Sequence, residues 1–188
     1  MLLFWQHGYE ATSIAYLTAA LGITAPSLYA AFGDKKRLFL EAVDLYMTPP
    51  TPTADDESLS KAKAKPAAVS AKQTALDMMI GAAMLFTDEG HPRGCLVGSS
   101  ALSVSAEAED VRVHLAAIRK GVEKNLRSHI ARAVREGELP AATETDALSA
   151  FIVATIQGMS TLARDGASRE KLMSIVEIAM HAWPTTKR

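Results

Sequence analysis

Between Thr12 and Lys35 the chain sets helix starts and stops so close together that only short helices meeting at sharp corners satisfy them. Thr12 and Ser13 precede Ile14, Leu17 and Leu21, an apolar set at helical spacing that predicts a short helix with one buried face. A hydroxyl just ahead of it can cap the helix's unpaired N–H groups. Gly22 follows, where a left-handed C-cap is wanted. Ile23 is expected to plug the corner and Thr24 to cap a second helix. Pro26 falls in that helix's first turn, where a missing N–H costs nothing. Leu28 and Phe32, one turn apart, are predicted to face inward, leaving Ala25, Ser27, Tyr29 and Ala30 outside. Gly33-Asp34 ends this helix and starts a third, with Leu38, Phe39, Ala42, Val43 and Tyr46 as its core stripe.

Two short capped helices around a glycine turn are a poor way to build only a core. They are the layout of a helix-turn-helix, which lays its second helix into the major groove of DNA. The run Gly8-Tyr9-Glu10-Ala11-Thr12-Ser13-Ile14, and then Ser27-Leu28-Tyr29-Ala30-Ala31-Phe32-Gly33-Asp34-Lys35-Lys36-Arg37-Leu38-Phe39, resembles the DNA-binding domain of the TetR family of transcriptional repressors. The resemblance implies that residues 25–32 form the recognition helix. Tyr29 would offer its hydroxyl to a phosphate, with Thr24 and Ser27 as short donors nearby. Thr12, Ser13 and Lys35 would clamp the backbone at helix N-termini. Ala25, Pro26 and Ala30 are apolar, so base reading would lean on thymine methyls, water and DNA shape.

The charge balance works against tight binding. Residues 1–47 hold Lys35, Lys36 and Arg37 against Glu10, Asp34, Glu41 and Asp44, whereas a DNA reader is expected to be basic. Only Met1–His7 precede Gly8, where the family is expected to carry a longer first helix and often a basic arm. The start, Met1 to Trp5, is apolar but lacks the basic region and cleavage site of a signal peptide.

The chain is expected to be all-α and to divide into a helix-turn-helix domain at 1–47, a linker at 48–70 and a helical ligand-binding and dimerisation domain at 71–188. The linker expectation rests on Pro49, Pro50, Pro52 and Pro66, the acidic Asp55-Asp56-Glu57 and the alternating Lys61, Lys63 and Lys65. Beyond it, stripes around Met79 and Phe86, then Val111 to Val134, Leu148 to Leu162 and Leu172 to Trp183 predict four substantial helices. The last two, about 144–183, are too apolar for helices with one wet face, and the resemblance implies that they pair with their copies in a homodimer. No run approaches the ~18 uninterrupted apolar residues of a membrane span. One cysteine excludes an internal disulfide and suits a reducing cytoplasm.

A small apolar or aromatic effector is expected in the helical domain, with Met79, Phe86, Cys95, Ile118, Phe151 and Gln157 as candidate lining. Gln157, inside an apolar helix, is the best polar group to orient it. Cys95 follows Arg93 and precedes a helix start, an arrangement that lowers thiol pKa and opens the alternative of a redox- or electrophile-sensing regulator. A second alternative is a helical dimer that acts through protein partners with weakened DNA binding. No cofactor or metal set is expected. Nor is an enzyme: nothing orients a base toward Ser99 or Ser100.

Overall fold

Every regular element among the described residues of this computed structural model, which are 1–48, 69–100 and 108–185, is an α-helix. In chain order they are α1 (Leu2–Ala11), α2 (Ile14–Leu21), α3 (Ala25–Phe32), α4 (Lys35–Met47), α5 (Ala71–Phe86), α6 (Leu96–Ser100), α7 (Glu109–Arg135), α8 (Thr145–Arg164) and α9 (Arg169–His181). The expected linker at 48–70 lies almost wholly outside the described residues.

The caps fall where the sequence places them. The side chains of Ser13, Thr24 and Asp34 accept hydrogen bonds from the backbone N–H groups of Tyr16, Ser27 and Arg37, satisfying first-turn donors of α2, α3 and α4. Gly22 closes α2 in the left-handed region (φ 66°, ψ 29°), and the N–H groups of Gly22 and Ile23 both donate to Thr18 O. Across this turn α2 and α3 meet at 97°. Two expectations of burial are corrected here. Leu17 is buried, but Leu21 and Ile23 are exposed, because a two-turn helix that breaks away at a near right angle carries its last turn off the core.

Gly8 shapes α1 in a way the sequence reading did not anticipate. Its φ of 78° and ψ of 176° interrupt the helix, a conformation open to glycine and strained for other residues. Phe4 and Trp5, before the break, are core residues. Thr12 Oγ1 donates to Gly8 O at 2.7 Å, meeting a carbonyl at the kink.

Packing divides the chain differently from its order in sequence. One core joins Phe4, Trp5, Leu17, Leu28, Phe39 and Val43 to Leu96 and Val97 of α6 and to Val111 and Leu115 at the start of α7. The other gathers α5, the second half of α7, α8 and α9 around Met79, Phe86, Leu126, Ile130, Ile152, Met159 and Leu172. Each such side chain contributes about 1.5–3 kcal/mol on burial, so α6 and the front of α7 help to complete the core of the helix-turn-helix. α8 also qualifies the membrane expectation. Although polar residues interrupt it, it is long and apolar enough by composition to span a bilayer, with one-third of its apolar window buried (33%). Here it packs on α5, α7 and α9.

Candidate DNA-reading face and effector cavity

α3 turns Leu28 fully inward and presents Pro26, Ser27, Tyr29 and Ala30 to solvent, with Ala25 half-buried at its start. Tyr29 is 47% exposed. Thr24 Oγ1, which caps α3, lies 2.9 Å from Ser27 Oγ, so two hydroxyls sit together at its exposed N-terminus. Ser13 marks the N-terminus of α2 and is exposed. Exposed on the helix-turn-helix are thus two capped helix starts and a tyrosine, groups suited to phosphate oxygens.

The cations near it are partly committed. Lys35 donates to Glu10 O at 3.3 Å and lies 4.3 Å from the centroid of the Tyr9 ring. Desolvation there lowers its pKa from the ordinary lysine value, with Glu10 opposing the shift. Lys36 forms an ion pair with Asp110 at the start of α7, and that pairing raises the lysine's pKa and lowers the aspartate's. This leaves Arg37 as the exposed cation of the α4 start.

Behind this face, a cavity of about 290 Å3 opens between α4, α5, α6, α7 and α8. Phe86, Ile118, Val122, Val153 and Ile156 give it apolar walls. Tyr46 and Met47, the last turn of α4, close one side, and Gln157 and Arg119 are among its few polar groups. Tyr46 Oη donates toward Cys95 Sγ at 3.5 Å, the Gly98 N–H donates to the same sulfur at 3.4 Å, and Cys95 N–H donates to Ser160 Oγ at 2.8 Å. Burial first, and then the neighbouring Cys95 thiol, push the Tyr46 phenol well above its ordinary pKa.

Comparison with known proteins decides the family. A family profile described as "Bacterial regulatory proteins, tetR family" matches residues 1–42, and one described as "Tetracyclin repressor-like, C-terminal domain" matches residues 73–178. The chain belongs to the TetR family. It is 34% identical over 184 residues to the HTH-type transcriptional repressor ComR of Escherichia coli K12, covering 98% of this chain and 85% of ComR. The repressor BdcR of the same organism is 29% identical, with the same coverage of each chain. A cysteine-substituted form of the TetR family regulator CifR, solved on 26-base-pair operator DNA, superposes with a TM-score of 0.83 at 36% identity, covering 97% of this chain and 92% of that one. This TetR-family chain is a DNA-binding transcriptional regulator.

Several residues singled out from the sequence stand elsewhere than expected. Thr12 is corrected in its side chain: it is fully buried and its hydroxyl donates to Gly8 O, so that hydroxyl supports the fold and is not presented to a phosphate. Of the candidate effector residues, Phe86, Cys95, Ile118 and Gln157 line the cavity. Met79 does not: it belongs to the same core as Phe86 but is wholly enclosed there. Phe151 does not either; it is 42% exposed on the outer side of α8. Arg93 turns from Cys95 and donates to the carbonyls of Ala163 and Ala167, so it does not attend the thiol. His91 stacks on Trp5 at 4.2 Å between ring centroids. Sequence reasoning missed Tyr46, Met47 and Arg119. Tyr46 belongs to the α4 stripe, and its place at the end of a stripe that runs past the first core is the available signal.

Proposed function

We propose that this regulator is a homodimeric repressor that reads its operator through α3 and releases it when a small molecule fills the cavity beneath α4. The observation that carries the proposal is the cavity's double lining. Tyr46 and Met47 belong to the helix whose Phe39 and Val43 hold the DNA-reading core, while Gln157 and Ile156 belong to α8. A ligand wedged between them acts on both parts at once. If it binds better to one spacing of the two DNA-reading units than to the other, it shifts the population and changes operator affinity.

The proposed division of labour keeps 1–47 as the DNA-reading unit and 71–188 as the effector and dimer unit, joined by 48–70. Ser13, Thr24, Ser27, Tyr29 and Lys35 are the proposed phosphate contacts, with Ala25, Pro26 and Ala30 against base edges. The proposed dimer face is α8 with α9. Phe151 at 42% and Ile178 at 71% exposure are large apolar side chains left uncovered in the single chain, which supports a partner there. Two copies would set the recognition helices about one DNA turn apart, roughly 34–36 Å. The work is done in the cytoplasm, and no catalytic role is proposed.

The test is selection of random-sequence duplexes by the purified protein, with Tyr29→Ala as control. A two-fold symmetric site that the mutant loses, bound with a steep loss of affinity as salt rises, is the expected result. Enrichment of no site removes the repressor reading and leaves a dimer whose partner is not DNA.

A further inference from the structure

We infer that the effector is a small organic monoanion, a carboxylate on an apolar body, and that Arg119 is its charge partner. This rests on the reading of the cavity as the effector site and adds the chemical class of its occupant. Arg119 lines the cavity, and its Nη1 is buried without a hydrogen-bond partner among the described residues. It belongs to none of the ion pairs formed there, although Glu123 lies one turn further along the same helix. Among the described residues no Asp or Glu lines the cavity.

A guanidinium donor held from water with nothing to donate to is costly, and a ligand that meets it recovers that cost. Nearby polar groups are already engaged: Tyr46 donates to Cys95 Sγ, and Ser160 accepts from Cys95 N–H. Gln157 is left to hold a second oxygen.

The geometry also limits the anion's charge and size. One guanidinium balances one negative charge. A dianion such as a phosphate monoester would bring a second charge into walls made of Phe86, Ile118, Val122, Val153 and Ile156. A planar carboxylate also matches the arginine fork. The volume of about 290 Å3 holds roughly ten water-sized units at about 30 Å3 each. That suits an aryl-alkanoate or medium-chain acid. Met47 and Met78 supply adaptable walls for such a body.

The experiment uses matched pairs: benzoate and benzamide, 4-phenylbutyrate and its amide, octanoate and octanamide. Each is tested on the full chain by thermal shift and by release of the selected operator duplex. Wild type, Arg119→Gln, Arg119→Lys and the cavity-filling Val153→Phe are compared. At least one acid is expected to stabilise the protein and release DNA, with its amide about 10- to 100-fold weaker. Arg119→Gln should lose that preference, Arg119→Lys keep part of it, and Val153→Phe lose both members of the pair. Amides that bind as well as acids, with affinity lost only in Val153→Phe, overturn the charge assignment and leave the effector cavity standing. Acids whose binding survives Arg119→Gln overturn it as well. If no acid or amide binds, both the monoanion and the cavity reading fall.

Discussion

The indole Nε1 of Trp5 donates to the carbonyl of Gly94 at 2.9 Å, tying α1 to the turn that leads into α6 across 89 residues of chain. Trp5 is 2% exposed, stacked on His91 and set edge-on to Tyr46 at 4.8 Å. Arg164, at the end of α8, donates to the carbonyls of Trp5 and Gln6 from the other side. One tryptophan thus touches the DNA-reading unit, a wall residue of the cavity and the entry to α6. Trp5→Phe keeps most of the packing and removes the donor, leaving a buried carbonyl unmet. A loss of about 1–3 kcal/mol in urea unfolding is expected. Unchanged stability would show that the carbonyl finds another donor and that this link does not join the two parts.

Gly94 is the other half of that link, and its backbone is one a side chain resists. Its φ is 81°, and a Cβ there would stand 2.7 Å from Arg164 Cγ and 2.9 Å from Ser160 O. The arginine stem can shift; the carbonyl of a packed helix cannot. Gly94→Ala is expected to cost more than about 2 kcal/mol, from left-handed strain together with overpacking. Gly137, with φ 74° and open space around its Cβ position, isolates the strain, so Gly137→Ala should cost only about 1–2 kcal/mol. Equal losses in calorimetry of the two variants would dismiss the Ser160 clash.

These two residues also mark where sequence reading stops. The caps at Ser13, Thr24 and Asp34, the left-handed Gly22 and the stripe of α4 were legible because each depends on neighbours within a few positions. Trp5 and Gly94 were not, because their partners lie far along the chain and an apolar N-terminal run has no periodicity that points at one. Thr12 was misread for a related reason. A threonine before a helix is a good cap by local rules, and only the kink at Gly8 turns it inward. The effector candidates divided in the same way. Helical spacing marks Met79 and Phe86 alike as one apolar face, and packing alone decides that Phe86 also borders the cavity while Met79 stays enclosed.

Tyr46 predicts an alkaline limit. The folded protein holds its phenolic proton above the ordinary value of about 10, because burial and the facing Cys95 thiol disfavour the phenolate. The unfolded chain releases that proton near 10, so above this pH it binds fewer protons than the folded state and stability falls as pH rises. The contribution is complete below about pH 10 and declines beyond it. In Tyr46→Phe the decline should be shallower, read as the pH dependence of the urea midpoint between 9 and 11. Superposable curves for the two proteins would mean that the phenol is not held protonated by its surroundings.

Thr12, Ser13 and Tyr29 separate support from contact within one short stretch of surface. Thr12→Val removes a buried hydroxyl that meets Gly8 O, so it should destabilise the fold by about 1–3 kcal/mol. At temperatures where it stays folded, the slope of operator affinity against salt should be unchanged, since no phosphate contact is lost. Ser13→Ala removes a helix cap worth about 1 kcal/mol and an exposed hydroxyl together, so both stability and affinity should fall. Tyr29→Phe touches no core: the ring is half in solvent and its hydroxyl bonds to no described residue. It should leave the melting temperature alone and weaken the selected operator by about 10- to 150-fold, the worth of one hydrogen bond to a charged oxygen. Because a Tyr29 hydroxyl bound to phosphate neutralises no charge, its loss should lower affinity equally at every salt concentration, whereas Lys35→Gln, which removes the proposed cationic contact, should flatten the slope. If Thr12→Val alone reduced operator affinity at full folding, the buried threonine would have to turn outward on DNA, and α1 would have to straighten at Gly8 to let it.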